Sequence, residues 1–149
     1  MTAALWLSRN LQEGFAITGA AHDWLMSLWN AIQVFDDMAD GQFPDREDLI
    51  ACIADTLCNM PANPFFRANH ATLMPLVAVA ILKWKASDDV ERAGEPSEVS
   101  FTWRAGYYDI VLAVMQLVHG EQVARDSAQY VMKLYGEKYA DYAKEFSHA

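Results

Sequence analysis

The stretch AAHDWLMSLWNAIQVFDDMADG, residues 20–41, decides how the chain is read. At about 100° per residue, Trp24, Leu25, Leu28, Ile32 and Phe35 fall on one face of a helix, which is its core side. Gly41 follows as the usual C-terminal stop. His22, Asp23, Asn30, Gln33, Asp37 and Asp40 occupy the opposite side, where Met26 and Trp29 interrupt them. Two large apolar residues within a polar stripe suggest a face turned toward another helix or a second subunit rather than open water.

The same punctuation continues outward in both directions. Leu7, Leu11 and Phe15 at four-residue spacing mark a first short helix over residues 3–13. After Pro44, Asp45 is placed to cap a third helix, with Glu47 and Asp48 in its first turn. Its core side is expected to carry Leu49, Ile50, Ile53 and Leu57, and it should end near Asn59, before Pro61. Asn63 followed by Pro64 reads as a cap with proline at the first helical position, opening a segment from Phe65 to about Val90 that Pro75 should kink or split. A helix over residues 100–119 holds IVLAVMQLV, apolar almost all round, and Gly120 closes it. The last helix, residues 121–146, places Ala128, Val131, Tyr135, Tyr139, Tyr142 and Phe146 at spacings of three and four, a packing seam within the domain or between subunits.

No stretch alternates apolar and polar residues as a half-buried strand would, so the expected fold is all-α. The 149 residues suit one domain, a bundle of about five to six helices with short connections and antiparallel neighbours. Hydrophobic residues make up 53% and charged residues 21%, which is the composition of a chain that packs. Five tryptophans, six tyrosines and seven phenylalanines exceed what so small a core needs, so a homo-oligomer is expected, through the last helix's seam and the interrupted face of the second.

A formal charge of −9, with eleven basic residues scattered among twenty acidic ones, argues against nucleic acid and against an anionic membrane surface. The N-terminal stretch lacks the basic region of a secretory signal, and the apolar run of residues 73–82 is well short of the roughly 20 residues a spanning helix needs. A cytoplasmic protein without a membrane segment is therefore expected. Cys52 and Cys58 match no common zinc spacing and suit reduced packing residues.

One feature is a candidate for chemistry. Carboxylates in a last helical turn oppose the helix dipole, yet DDMAD places Asp36, Asp37 and Asp40 there, at spacings that let them converge beside the helix. Mg²⁺ takes such oxygen ligands together with the oxygens of a phosphate substrate. DDMAD resembles the aspartate-rich motif of isoprenoid synthases, an all-helical family, and the resemblance implies Mg²⁺ ligands at Asp36, Asp37 and Asp40 and a diphosphate-bearing substrate. That family's second acidic motif has as its nearest counterpart here only Asp109, in YYDIV. Followed by CIADTL, residues 52–57, DDMAD is also similar to the paired acidic motifs of all-α nucleoside triphosphate pyrophosphatases, which implies a further ligand at Asp55.

Asp109 also has a structural reading, as a carboxylate hydrogen-bonded to a neighbour beside an apolar helix. The pair His22-Asp23 resembles an HD dyad, but His70, His119 and His148 do not supply further ligands at recognisable spacing. The leading expectation is a non-enzymatic helical interaction or assembly protein. The alternative is a Mg²⁺-dependent enzyme acting on a small diphosphate-bearing molecule.

Overall fold

Local signals in the chain set several of the helix boundaries. The computed structural model describes residues 1–147, and these are all-helical, with eight helices and no strand. Helix α1 (Ala3–Arg9) widens into a π turn at Asn10–Gly14, and α2 is Gly19–Ala39. Helix α3 (Arg46–Ala54) runs on through a π turn at Asp55–Asn59 and a last turn at Met60–Ala62. After α4 (Pro64–Arg92) come α5 (Glu98–Trp103), α6 (Tyr107–His119), α7 (Glu121–Val131, closed by a 3₁₀ turn at Met132–Leu134) and α8 (Tyr139–Glu145).

The chain forms two compact units, Met1–His70 and everything from Ala71 onward, and the boundary falls inside α4. In the first unit, α2 packs against α1 and α3. Leu7, Leu11, Ile17, Trp24, Leu25 and Leu28 are buried, each side chain of this size contributing roughly 1.5–3 kcal/mol when fully removed from water. Trp24 stacks on Phe66 with ring centroids 5.5 Å apart, and its indole N–H has no hydrogen-bond partner among the described residues. Asn63 caps α4 through its side-chain oxygen, which accepts from the Phe66 N–H at 3.1 Å. Its amide donates to the Ala20 carbonyl at 2.9 Å, so the same residue ties the start of α4 to the start of α2. Asp45 caps α3 by accepting from the Asp48 N–H at 2.8 Å.

The end of α1 is a tighter device. The Ile17 N–H reaches back to the Leu11 carbonyl at 2.9 Å, and Ala16 between them sits at φ +50°, in the left-handed region that glycine usually fills. Leu11 and Ile17 are both fully buried, the apolar contact that accompanies this kind of helix ending.

In the second unit α6 is the core helix, burying Tyr107, Ile110, Val111, Val114 and Met115 and packing along α7. Gly106 lies against α4 so closely that a Cβ there would stand 2.9 Å from the Ala80 Cβ, and only a glycine permits that approach. Ser97 and Ser100 form a reciprocal capping box at the start of α5.

The helix count exceeds the five to six expected, because two segments read as single helices are broken. Residues 100–119 turn at Arg104–Gly106, and residues 121–146 break between Leu134 and Tyr139, where Tyr135 is extended. Pro75 does not split its segment: α4 is one helix of 29 residues with Pro75 inside it. Proline removes one hydrogen bond and crowds the preceding turn, but bonds on either side carry the helix past it.

The third helix departs most from expectation. Its buried residue is Cys52, while Ile50 and Ile53 are about half exposed, at 47% and 48%, and Leu57 is 73% exposed. Leu49, Cys52, Thr56 and Met60, at spacings of three and four, form the face turned inward. Helical periodicity identifies an apolar stripe but not the direction in which the helix is rolled.

Candidate functional site

The acidic end of α2 is built by the main chain. Asp40 caps the helix, the Gly41 N–H donates to the Met38 carbonyl at 3.1 Å, and the Gln42 N–H donates to the Asp37 carbonyl at 2.8 Å. Gly41 sits at φ +83°, so this is a glycine-closed ending whose carbonyls are satisfied by backbone donors. Asp36 is half-buried, whereas Asp37 and Asp40 are exposed. Among the described residues no group of three or more His, Cys, Asp or Glu is placed to hold a metal ion. Asp55, in the π turn of α3, accepts from the Asn59 amide at 2.8 Å.

Asp109 stands in the second unit, at the start of α6. Its carboxylate pairs with the Lys83 ammonium at 2.8 Å, and that lysine lies 6.0 Å from the centre of the Trp103 ring. The partner is thus a cation 26 residues away on α4, a pairing that sequence spacing does not reveal.

In the first unit the His22-Asp23 pair is extended into a hydrogen-bonded chain by Ser8, which the sequence did not point to. The Ser8 hydroxyl is 2.8 Å from His22 Nε2, and His22 Nδ1 is 3.2 Å from an Asp23 oxygen. The order of groups is that of a nucleophile, base and carboxylate. The Asp23 side chain is 74% exposed and Ser8 sits inside α1, where neighbouring N–H groups are committed to the helix. The chain ties α1 to α2. His70 belongs to the first unit and His119 to the second, and His148 lies outside the described residues. Both cysteines are free, Cys52 buried and Cys58 exposed, and burial pushes the Cys52 thiol up, with the Asp55 charge adding to it.

The richest side-chain cluster joins α8 to the rest of the second unit. Phe101 is its hub, with its ring 5.0 Å from Tyr135, 5.5 Å from Tyr139 and 5.2 Å from Tyr142. Tyr142 is fully buried, its hydroxyl 2.6 Å from Ser100 Oγ and donating to Glu91 at 3.1 Å. Arg104 spans Glu91 and Glu137 at 3.7 and 3.2 Å and lies 4.8 Å above the Tyr142 ring. Burial pushes the Tyr142 phenol above its ordinary range, the Glu91 carboxylate adding to the effect. Burial also raises Tyr107 and Tyr135, and raises Tyr108 to about 12. These phenols stay neutral at physiological pH and act as packing and hydrogen-bonding groups. The aromatic seam expected at a subunit interface is therefore folded inward, because the break after Leu134 lets α8 turn back onto α5.

The exposed large apolar side chains include aliphatic ones on two helices. Beyond the Ile50–Ile53–Leu57 stripe of α3 and Phe43, 83% exposed, helix α4 leaves Met74, Val79, Ile81 and Leu82 between 50% and 68% exposed. By length and composition α4 is long and apolar enough to cross a membrane, and little of its apolar stretch is buried. No family model matches the chain, and searches of curated proteins and of solved structures find no match.

Proposed function

We propose that this chain is a non-enzymatic helical assembly protein of the cytoplasm that works as a homo-oligomer. The observation that supports this reading is the amount of aliphatic side chain left uncovered on α3 in the first unit and on α4 in the second. Scattered exposed apolar residues are ordinary, but contiguous apolar faces on regular helices mark interaction surfaces. The acidic stretch, under this reading, is a solvated helix end whose stop is made by Gly41 and main-chain hydrogen bonds. Its carboxylates contribute to the negative charge that keeps such a protein soluble between assembly events.

Sedimentation velocity on the full chain over a concentration series tests the proposal. A species larger than the 16.7 kDa monomer is expected at micromolar concentration. A monomer throughout would remove the basis of the reading. The enzymatic alternative is met by a thermal-shift series with Mg²⁺, Mn²⁺ and pyrophosphate, because a ligand that binds only the native state raises the melting temperature. No shift is expected.

A further inference from the structure

We propose that copies of this chain exchange α8: the connection at residues 135–138 straightens, α7 and α8 become one helix, and the α8 of each copy fills the seat that α8 occupies in the other. The inference rests on the assembly reading above and supplies its mechanism. The structure itself shows what the seat holds. Tyr142 is fully buried, its ring 5.2 Å from Phe101, its hydroxyl 2.6 Å from Ser100 Oγ and 3.1 Å from Glu91, and Arg104 lies 4.8 Å above the ring. Tyr139 adds a second ring 5.5 Å from Phe101. All of these partners belong to residues 91–104, which precede α6 and α7 in the chain. A second copy's α8 can make each of these contacts unchanged, which is why exchange of an identical element is a low-cost route to a dimer.

The broken segment keeps the phase of a single helix. Ala128, Val131, Tyr135, Tyr139, Tyr142 and Phe146 step by three and four straight across the break, and at about 100° per residue they fall within an arc of about 80°. A connection that served only as a loop would have no reason to preserve that phase. Residues 135–138 read Tyr-Gly-Glu-Lys, with no proline to forbid a helix, and Gly136 is exposed. The connection is also short, and short hinges favour exchange.

Two contacts of the connection hold the closed form. The Tyr135 ring lies 5.0 Å from Phe101, and Glu137 pairs with Arg104 at 3.2 Å. Straightening gives up the Glu137 pair, leaves Arg104 with Glu91, and forms a run of helical hydrogen bonds across the connection. Local terms of opposite sign set the balance, and protein concentration tips it toward the dimer.

The test uses the full chain in sedimentation velocity over a concentration series, with hydrogen exchange of residues 132–141 read by mass spectrometry on the separated monomer and dimer. The amides of residues 136–140 should be protected in the dimer, where they gain helical bonds, and unprotected in the monomer. Gly136→Pro suits the monomer, because Tyr135 at φ −74°, ψ 108° already has the extended backbone that a residue before proline takes, and it breaks a helix through this position. It should lower the dimer association constant more than about a hundredfold with unchanged helicity by circular dichroism. Gly136→Ala, whose added Cβ meets nothing within 4 Å in the monomer, favours the helix and should raise the constant about fivefold or more. A wild-type monomer at every concentration overturns both the assembly reading and this inference. A wild-type dimer whose amides at residues 136–140 exchange as fast as the monomer's overturns this inference alone, as does a dimer that both substitutions leave at wild-type strength. Gly136→Ala and the exchange data decide the matter even where Gly136→Pro does not fold.

Discussion

The aromatic run of residues 131–146 and the aliphatic stripe of α3 carry the same kind of sequence signal and meet opposite fates. Both repeat large apolar residues at three- and four-residue spacing. The first collapses onto Phe101 and buries Tyr142 completely, while the second leaves Leu57 73% exposed. The difference lies in what the flanking chain permits. Tyr135 is extended after the 3₁₀ turn, and the connection to Tyr139 lets α8 double back on its own unit. The third helix is held by the Asp45 cap at its start, and Cys52 is its buried residue, so Ile50, Ile53 and Leu57 cannot also turn inward. A periodic apolar face states that something must cover it. Chain geometry decides whether the cover is internal.

The contrast can be broken most sharply at Tyr142. Tyr142→Ala removes a fully buried ring and leaves Ser100 and Glu91 without their phenol partner, at an expected cost of about 3–5 kcal/mol in urea unfolding. A loss below about 1 kcal/mol would mean that the aromatic seam is not a core. Gly106→Ala should cost about 1–3 kcal/mol, because the new methyl meets both Cα and Cβ of Ala80 and must push α4 away. Unchanged stability there would place the α4 contact elsewhere.

Alkaline titration sharpens the same comparison. Tyr108, whose hydroxyl donates to the Leu134 carbonyl, is pushed by burial up to about 12, above its value of about 10 when unfolded. The folded state therefore holds its proton longer. The stability it contributes is present in full below pH 10 and is lost as pH rises through about 12. Tyrosinate absorbance should show phenols titrating late in the native protein and normally in urea. The smallest effect is expected on α3: Leu57→Ser should change the unfolding free energy by no more than about 0.5 kcal/mol, as an exposed position does. A cost of several times that would show the stripe to be covered in solution.

Much of the fold was legible in the residues. Asp45, Asn63 with Pro64, Gly41 and Gly120 mark real helix ends, and Trp24, Leu25 and Leu28 are buried as the face of α2 predicted, whereas Ile32 on that face is half-buried and Phe35 is 53% exposed. These are local signals, decided within a few residues. The turn at Arg104–Gly106 was not legible, because Arg104 is held by Glu91 and Glu137 and Gly106 by Ala80, partners far away in sequence. The site was less legible still. Asp109 finds Lys83 and His22 finds Ser8 across 26 and 14 residues, distances over which spacing carries no information. The acidic stretch was visible at once, yet the hydrogen bonds that define its end belong to the backbone of Asp37, Met38, Gly41 and Gln42.

The unequal exposure of the two cysteines gives the molecule a built-in optical handle. A maleimide dye should attach at Cys58 while Cys52, buried and with its thiol pushed up, reacts slowly. The natural sequence can then carry a single fluorophore at the end of α3 without mutation. Energy transfer between donor- and acceptor-labelled copies would then test the proposed self-association directly.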